Sequence, residues 1–278
     1  MSDGKNANIS KRTSVEDGHL LGDERFVDDK DISKDMVYVK EGDLKGGEMR
    51  KVVIESTVDD DCDMPESEIK QKDCVLLLSG GIDSVVLLHF LKYLGYEVYG
   101  LTFGFKQDRR VDCARYWACE LCEGWRYIDL SDIRELMSSS MVLDTVELRD
   151  FRPYKLLPNR SMIMLSLAVG WACRLCVDEV FFGANFDDYE RHSDCRQDYV
   201  HTLSKAVQLA TNSNVVVKAP FLGMKKSDIV RLGYMLDVDF SMTWNCYSDE
   251  DYPCGECPGC IERREVFREA GVPDPFDR

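Results

Sequence analysis

The turn at residues 79–84, which reads SGGIDS, holds the residues best suited to chemistry. Its glycines would let the backbone approach a phosphate group, and Ser79 and Ser84 would add hydroxyl donors. No lysine follows the glycines, so the turn is not the phosphate loop of kinase-type ATPases. Asp83 would repel phosphate unless it caps the turn or lies near a magnesium ion. The alternative is an ordinary tight turn, but the strand–turn–helix context favours phosphate binding.

Four cysteines near the C-terminus form a second candidate site. Cys246, Cys254, Cys257 and Cys260 follow the pattern C-x7-C-x2-C-x2-C, with glycine and proline between them to supply tight turns. Four thiolates at this spacing suit a closed tetrahedral zinc site, which would fasten the C-terminal segment to the sheet. Four free thiols and an iron–sulfur cluster are the alternatives.

The chain contains twelve cysteines in all. In a reducing compartment, clustered cysteines favour metal or redox roles over disulfides. Two further C-x2-C pairs, Cys119/Cys122 and Cys173/Cys176, lie in predicted helices with no partner pair nearby in the sequence. We expect them to pack as small buried hydrophobes rather than to form a second metal site.

Composition limits the class of protein. Of the 278 residues, 44% are hydrophobic, which is enough for a sizeable core. The formal charge of −16 argues against binding nucleic acid through phosphate neutralisation. There is no apolar run of membrane-spanning length, and the first residues lack the apolar core of a signal peptide. We therefore expect a cytosolic protein with neither a membrane nor a direct nucleic-acid partner.

Short apolar runs alternate with helical patterns from about residue 73 onwards. Five strands interleaved with helices predict an α/β fold with a doubly wound, mostly parallel sheet. Ligands of such sheets bind at the carboxyl ends of strands, where the SGGIDS turn is expected. The predicted strands cover residues 74–80, 97–103, 125–130, 179–185 and 215–220, and the predicted helices cover residues 84–94, 111–122, 132–140, 159–176, 198–211 and 225–236.

The composition divides the chain into three parts. Residues 1–72 form a polar, acidic extension, with either a small hairpin between residues 36 and 56 or a disordered tail. Residues 73–240 form the α/β domain. Residues 241–278 form the C-terminal segment that carries the four cysteines.

The motif SGGIDS resembles the loop of the PP-loop ATP pyrophosphatase superfamily, whose fold is adenine nucleotide α-hydrolase-like. In that superfamily the loop holds pyrophosphate, and ATP is cut between its α and β phosphates, so that an acceptor oxygen becomes adenylated. The resemblance accounts for the missing lysine, because backbone amides, serines and magnesium hold the pyrophosphate.

Longer segments, from about residue 73 to 276, resemble the 7-cyano-7-deazaguanine synthase (QueC) family. They read LPNRSMIMLSLA, GANFDDY, DCRQDY, APFLGMKKSDIVRLG and TWNCYSDEDYPCGECPGCIERREVF. The resemblance implies an ATP-dependent C–N ligase of queuosine biosynthesis, with structural zinc and with Mg²⁺ accompanying ATP. Such an enzyme adenylates 7-carboxy-7-deazaguanine, ammonia displaces AMP to give an amide, and a second ATP converts the amide to the nitrile. A homodimer is one possible assembly.

The resemblance also implies roles for individual residues. Asp83, Ser84 and Arg160 would be catalytic, and an arginine is suited to hold phosphate or carboxylate with two hydrogen bonds. The alternative for Arg160 is a surface arginine at a helix start. Lys226 would neutralise phosphate, and its alternative is a solvated lysine. The implied ATP site consists of Leu78, Ser79, Gly80, Gly81, Ile82, Asp83, Ser84, Val85 and Lys226.

The loop after the fourth predicted strand would hold the acceptor, a deazapurine-like carboxylate. Asp188 and Asp194 would accept hydrogen bonds from a guanine-like edge, or else cap the loop. The substrate carboxylate would meet Arg191, Arg196 or His192 before it is adenylated.

Three segments depart from the family pattern, namely residues 103–105 (FGF), 160–161 (RS) and 190–193 (ERHS). We expect these segments to line the acceptor rather than ATP, so two other functions stay open. One is an adenylating amide ligase that acts on a different carboxylate or amine. The other is a zinc-stabilised, non-catalytic binding protein, against which the intact SGGIDS motif argues.

Overall fold

The computed structural model describes residues 72–104, 108–131, 159–189, 193–248 and 250–277. Within these ranges the strands are β1 (Lys72–Leu77), β2 (Tyr96–Gly104), β3 (Gly124–Asp129), β4 (Glu179–Phe181) and β5 (Val216–Lys218). They form a parallel sheet in the order β3-β2-β1-β4-β5. The predicted doubly wound, parallel α/β fold is confirmed. β4 and β5 are shorter than predicted.

The described helices follow the predicted alternation with strands. They are α1 (Ile82–Tyr93), α2 (Arg109–Leu121), α3 (Arg160–Leu175), α4 (Gln197–Thr211), α5 (Lys226–Met235) and α6 (Pro258–Ala270), with 3-10 turns at Ser193–Cys195 and Phe240–Met242. Among the helices that the structure describes, none has the length and apolar content that crossing a membrane requires. The helix predicted at 132–140 and the hairpin predicted between 36 and 56 lie outside the described residues. The division near residues 72 and 240 stays a prediction.

The central strand β1 supplies apolar side chains to both faces of the sheet, because successive side chains of a strand point in opposite directions. Leu76 belongs to the core cluster beneath α1, α2, α5 and α6. Val75 belongs to the cluster beneath α3 and α4. Both side chains are fully buried. The continuous apolar run of β1 therefore follows from its place between two layers of helices.

The order of the strands reverses beside β1. Val75 of β1 lies opposite Val180 of β4, and Leu76 lies opposite Gly100 of β2. The chain runs outwards through β2 and β3 and then returns to the other side of β1. The loops that follow β1 and β4 therefore meet at a topological switch point, which is where ligands bind in open α/β sheets.

Candidate active site and metal centre

The glycine turn after β1 is shaped by a close approach of two chain segments. Gly80 has a φ of +77°, and a Cβ placed on it would lie 2.0 Å from the carbonyl oxygen of Arg110. The backbone N–H of Trp244 donates to the carbonyl of Gly80 over 2.9 Å. Helix α1 then begins with Gly81 as its N-cap and with no side-chain cap. Its first turn presents N–H groups that have no acceptor within the helix, which suits an anion.

The two serines of the turn lie in different environments. Ser84 is buried, accepts from the N–H of Ser79 over 3.1 Å and donates to the carbonyl of Gly81 over 3.1 Å. Ser79 is exposed, and its Oγ lies 3.0 Å from the Oγ of Ser84. Ser84 therefore stabilises the turn through buried hydrogen bonds, whereas Ser79 is accessible to a ligand. The predicted ATP-site residues Leu78, Ile82 and Val85 have fully buried side chains, so only their backbone groups can reach a nucleotide.

Asn185 links two carboxylates at the switch point. It follows β4 and is fully buried. Its Nδ2 donates to Oδ1 of Asp83 over 3.3 Å and to Oδ2 of Asp188 over 3.0 Å, and its Oδ1 accepts the N–H of Asp188 over 3.1 Å. The structure thus places a residue of the ATP turn and a residue predicted to bind the acceptor within one hydrogen-bonded group.

Lys226, the first residue of α5, is also part of this group. It is only 7% exposed, so the interpretation as a solvated lysine is wrong. Its Nζ lies 2.9 Å from Oε2 of Glu262 and 3.7 Å from Oδ2 of Asp83. Its backbone N–H donates to Oδ2 of Asp187 over 2.7 Å, which fixes the start of the helix.

Burial and charge both act on this cluster. Burial raises the pKa of Asp83, the carboxylates of Asp188 and Glu262 raise it further, and Lys226 offsets part of the rise. Burial lowers the pKa of Lys226, but Asp83 and Glu262 outweigh it, and the pKa lies above its ordinary value. The cluster thus holds more negative than positive charge beside a turn suited to phosphate, a combination that fits a divalent cation.

Asp194 and Arg160 lie near the same thiol. Oδ2 of Asp194 accepts a hydrogen bond from the hydroxyl of Ser161 in the first turn of α3. Burial raises the pKa of the Cys195 thiol, and the carboxylates of Asp188 and Asp194 contribute to the rise. Arg160 opposes it, and the resulting pKa is about 12. The structure thus brings Arg160, Asp188 and Asp194 into one electrostatic neighbourhood. Their roles stay predictions.

Arg196 lies on the exposed side of this loop. Its guanidinium carbon lies 5.5 Å from the ring centre of Tyr189, and its Nε donates to the carbonyl of Tyr189 over 3.5 Å. Arg191 and His192, named with it as partners of a substrate carboxylate, lie outside the described residues. The structure therefore does not bring Arg196 together with the buried group around Asp83.

Sequence reasoning did not single out Asn185 or Glu262. Asn185 stands in the segment GANFDDY at the end of the predicted strand 179–185, and a polar residue at the carboxyl end of a strand in an α/β sheet was a usable signal. Glu262 is 36 residues from Lys226 and lies in a helix whose sequence shows no sign of a distant ion pair.

The four C-terminal cysteines converge as predicted. Their Sγ atoms all lie within 4.8 Å of one another, at 3.5 Å for Cys246–Cys254 and 3.9 Å for both Cys254–Cys260 and Cys246–Cys257. A tetrahedral zinc ion with Zn–S bonds of about 2.3 Å sets its thiolates about 3.8 Å apart. The cluster can therefore hold a metal ion, and its spacing fits zinc.

Backbone N–H groups donate to sulfur atoms of this cluster. The N–H of Tyr247 lies 3.3 Å from Sγ of Cys257, and the N–H of Ser248 lies 3.3 Å from Sγ of Cys246. Burial opposes ionisation of Cys254, but backbone N–H groups outweigh it and lower the pKa of this thiol to about 7. Such donors around metal-binding sulfur atoms orient the ligands and stabilise their charge.

The other two C-x2-C pairs show no second metal-binding group within the described ranges. Cys119 and Cys176 are exposed, so the expectation that both pairs are buried is wrong for these two. Cys122 and Cys173 are half-buried. Burial raises the pKa of Cys122 to about 12, which disfavours its reactive thiolate form.

Comparisons with known proteins found similar sequences and similar solved structures. The family model described as queuosine biosynthesis protein QueC matches residues 73–271. The 7-cyano-7-deazaguanine synthase of Archaeoglobus fulgidus is 40% identical over 211 residues, which are 73% of this chain and 88% of that protein. The synthase of Caldicellulosiruptor saccharolyticus is 34% identical over 212 residues, 73% of this chain and 94% of that protein. A solved 4-thiouridine synthetase–RNA complex with bound ATP is 16% identical, with a TM-score of 0.47 over 72% of this chain and 50% of that one.

Proposed function

Because the chain belongs to the QueC family, we propose that it is a 7-cyano-7-deazaguanine synthase. ATP adenylates the carboxylate of 7-carboxy-7-deazaguanine and pyrophosphate leaves. Ammonia then displaces AMP to give the amide. A second ATP activates the amide oxygen, and loss of AMP leaves the nitrile. The observation that carries this proposal is the hydrogen-bonded link from Asp83 in the glycine turn through Asn185 to Asp188 in the loop after β4.

The glycine turn would bind the phosphates of ATP. The N–H groups at the start of α1 and the exposed hydroxyl of Ser79 supply donors without any charged side chain. A leaving pyrophosphate is held well by such donors, because its charge is spread over several oxygens. Ser84 keeps the turn in shape through its bonds to Ser79 and Gly81. Arg160 at the start of α3 would stabilise charge on the adenylated acceptor.

Asp83 and Asp188 would hold the Mg²⁺ that accompanies ATP, since carboxylate oxygens are its preferred ligands. Bound there, the ion would neutralise charge on the phosphates. The ammonium of Lys226 donates to Glu262 over 2.9 Å and lies 3.7 Å from Asp83, which supports a role as a positive charge beside Asp83 rather than a direct contact with phosphate.

The metal of the cysteine cluster is zinc in this proposal. Four thiolates at tetrahedral spacing leave no open position for a substrate, so the ion would be structural. It would fix the start of α6 and the segment that carries Trp244, whose N–H bonds to Gly80.

The reaction is expected to release AMP and pyrophosphate and to form no ADP. ATP, ammonia and 7-carboxy-7-deazaguanine are incubated with the enzyme, and nucleotides and deazaguanine products are measured by mass spectrometry. The nitrile is the expected final product. ADP with orthophosphate as the primary products would refute the adenylation mechanism. Accumulation of an amide only, or faster turnover of a different carboxylate, would instead favour the adenylating amide ligase.

Asp194→Asn is expected to weaken binding of the acceptor and to leave ATP binding nearly unchanged. Asp194 accepts a hydrogen bond from Ser161 and lies near Arg160, and it is not a residue of the glycine turn. Loss of a charge-assisted hydrogen bond to the acceptor costs about ten-fold to a hundred-fold in affinity. Calorimetry with each ligand separately measures both affinities. Asp198→Asn, an exposed position four residues further on, is the matched control. Loss of ATP affinity with unchanged acceptor affinity would refute this assignment, because Asp194 would then contribute to the ATP site and not to the acceptor site.

A further inference from the structure

Lys226 lies between carboxylates that come from distant parts of the chain. Its Nζ is 2.9 Å from Oε2 of Glu262 on α6 and 3.7 Å from Oδ2 of Asp83 on α1. The shorter distance is that of a charge-assisted hydrogen bond, whereas the longer one is not a hydrogen bond. In this arrangement Glu262 accepts the hydrogen bond of the ammonium, and Asp83 interacts with the same positive charge over a longer distance.

The position of Glu262 is fixed from both ends of α6. At the start of the helix, Glu262 lies two residues after the last cysteine of the cluster. A Cβ on Gly259 would lie 2.1 Å from the carbonyl oxygen of Asn245, so this turn sits directly on the chain that leads into the cluster. At the other end, Nε of Arg231 on α5 donates to the carbonyl of Ala270 over 3.2 Å. The carboxylate is therefore presented to Lys226 by a helix that contacts neighbouring segments at both ends.

A second contact joins the same segment to the glycine turn. Trp244, two residues before the first cysteine of the cluster, donates its backbone N–H to Gly80. The segment with the four cysteines thus reaches the candidate ATP site at two separate points. One is a backbone bond to the turn, and the other is the ion pair of Glu262 with Lys226.

We propose that Glu262 is a positioning residue of the ATP site. By taking the hydrogen bond of Lys226, it keeps the ammonium from closing on Asp83, so that Asp83 can bind the Mg²⁺ of the nucleotide. Without this carboxylate, the hydrogen bond of Lys226 passes to Asp83, and the cluster also loses one negative charge. Both changes weaken the attraction for Mg²⁺. This inference rests on the proposed function, since it concerns the Mg²⁺–ATP complex of that reaction.

The test compares Glu262→Gln and Glu262→Asp with the control Glu265→Gln, an exposed position on the same helix. Calorimetry with α,β-methylene ATP, which cannot be cut between its α and β phosphates, measures affinity with and without Mg²⁺. Titration of Mg²⁺ during AMP formation gives the half-saturating concentration. Metal content and melting temperature are measured for every variant.

Glu262→Gln is expected to reduce the gain in affinity that Mg²⁺ gives by about ten-fold, which corresponds to one charge-assisted hydrogen bond. It is also expected to raise the half-saturating Mg²⁺ concentration, while affinity without Mg²⁺ and metal content stay as in the wild type. Glu262→Asp should recover part of the effect, because a shorter carboxylate can still attract the ammonium.

Two results would overturn the proposal. The first is a Glu262→Gln variant with the same Mg²⁺ dependence as Glu265→Gln. The second is a Glu262→Gln variant that loses metal and melts earlier, and whose remaining folded fraction binds Mg²⁺–ATP normally, since Glu262 would then only support the helix. A wild-type enzyme that forms no AMP under any condition would refute the proposed function instead, and this control separates the two failures.

Discussion

Asp83→Asn is expected to lower the rate of AMP formation at least about a thousand-fold and to leave the protein folded. The substitution keeps the size of the side chain and removes the charge that would hold Mg²⁺. Asn185 can still bond to the new amide oxygen, and Lys226 keeps its 2.9 Å partner Glu262. The loss of activity would therefore come from the missing charge and not from a collapsed site.

The same substitution is expected to preserve or raise stability at neutral pH. Burial raises the pKa of Asp83 above its ordinary value. An acid with a higher pKa in the folded than in the unfolded state costs folding free energy once the pH rises above the unfolded pKa of about 4. The asparagine carries no such cost. The difference in free energy of unfolding between the variant and the wild type should therefore shrink as the pH falls towards that value.

Activity assays and chemical unfolding at several pH values check both parts of this prediction. Asp112→Asn, a half-exposed aspartate on α2, is the matched control and should change neither activity nor stability by much. A variant of Asp83 that retains more than about a tenth of the wild-type rate would refute its catalytic role. Ser84→Ala is a weaker test, because the Ser84 hydroxyl bonds to the turn itself and its loss would also disturb the fold locally.

The parts of this site that the sequence predicts are those whose residues are close in the chain. The glycine turn lies within six residues and the four cysteines within fifteen, so residue types and spacing suffice. The alternation of apolar runs and amphipathic segments likewise predicts the strands and helices, because each element must bury a face against the sheet. β4 and β5 end earlier than predicted, and the loop residues that follow them include Asn185 and lead to the start of α5.

The surroundings of Lys226 depend on packing between distant elements. A lysine at a predicted helix start, close to a predicted ligand edge, indicates phosphate binding when its neighbours are unknown. In the fold, α5 packs between α1 and α6, and these two helices bring Asp83 and Glu262 to its ammonium. No local sequence pattern predicts this contact, because the three residues are brought together only by the tertiary structure.

Cys257→Ala is expected to release the metal ion and to lower the melting temperature by at least about 10 °C. Three thiolates cannot close the tetrahedral site, and binding of a structural metal contributes directly to folding free energy. Val266 and Phe267 of α6 are buried in the main core cluster, so loosening this helix exposes core surface. Metal analysis and thermal unfolding measure the two effects.

Cys119→Ala is the matched control for this change. It removes an exposed thiol on α2 that belongs to no metal-binding group among the described residues, so metal content and melting temperature should stay as in the wild type. A Cys257→Ala variant with a full complement of metal, or a wild-type protein with none, would refute the four-cysteine site. Iron in place of zinc would support the alternative of an iron–sulfur cluster.

Loss of the metal should also impair nucleotide binding, although no cysteine of the cluster belongs to the glycine turn. Trp244 would no longer be held where its N–H meets Gly80, and Glu262 would no longer be held where its carboxylate meets Lys226. The affinity of Cys257→Ala for α,β-methylene ATP should therefore fall even at temperatures well below its melting transition. Unchanged affinity in a folded, metal-free variant would mean that the sheet and α5 alone fix the ATP site. The cysteine segment would then stabilise the core without contributing to the ATP site.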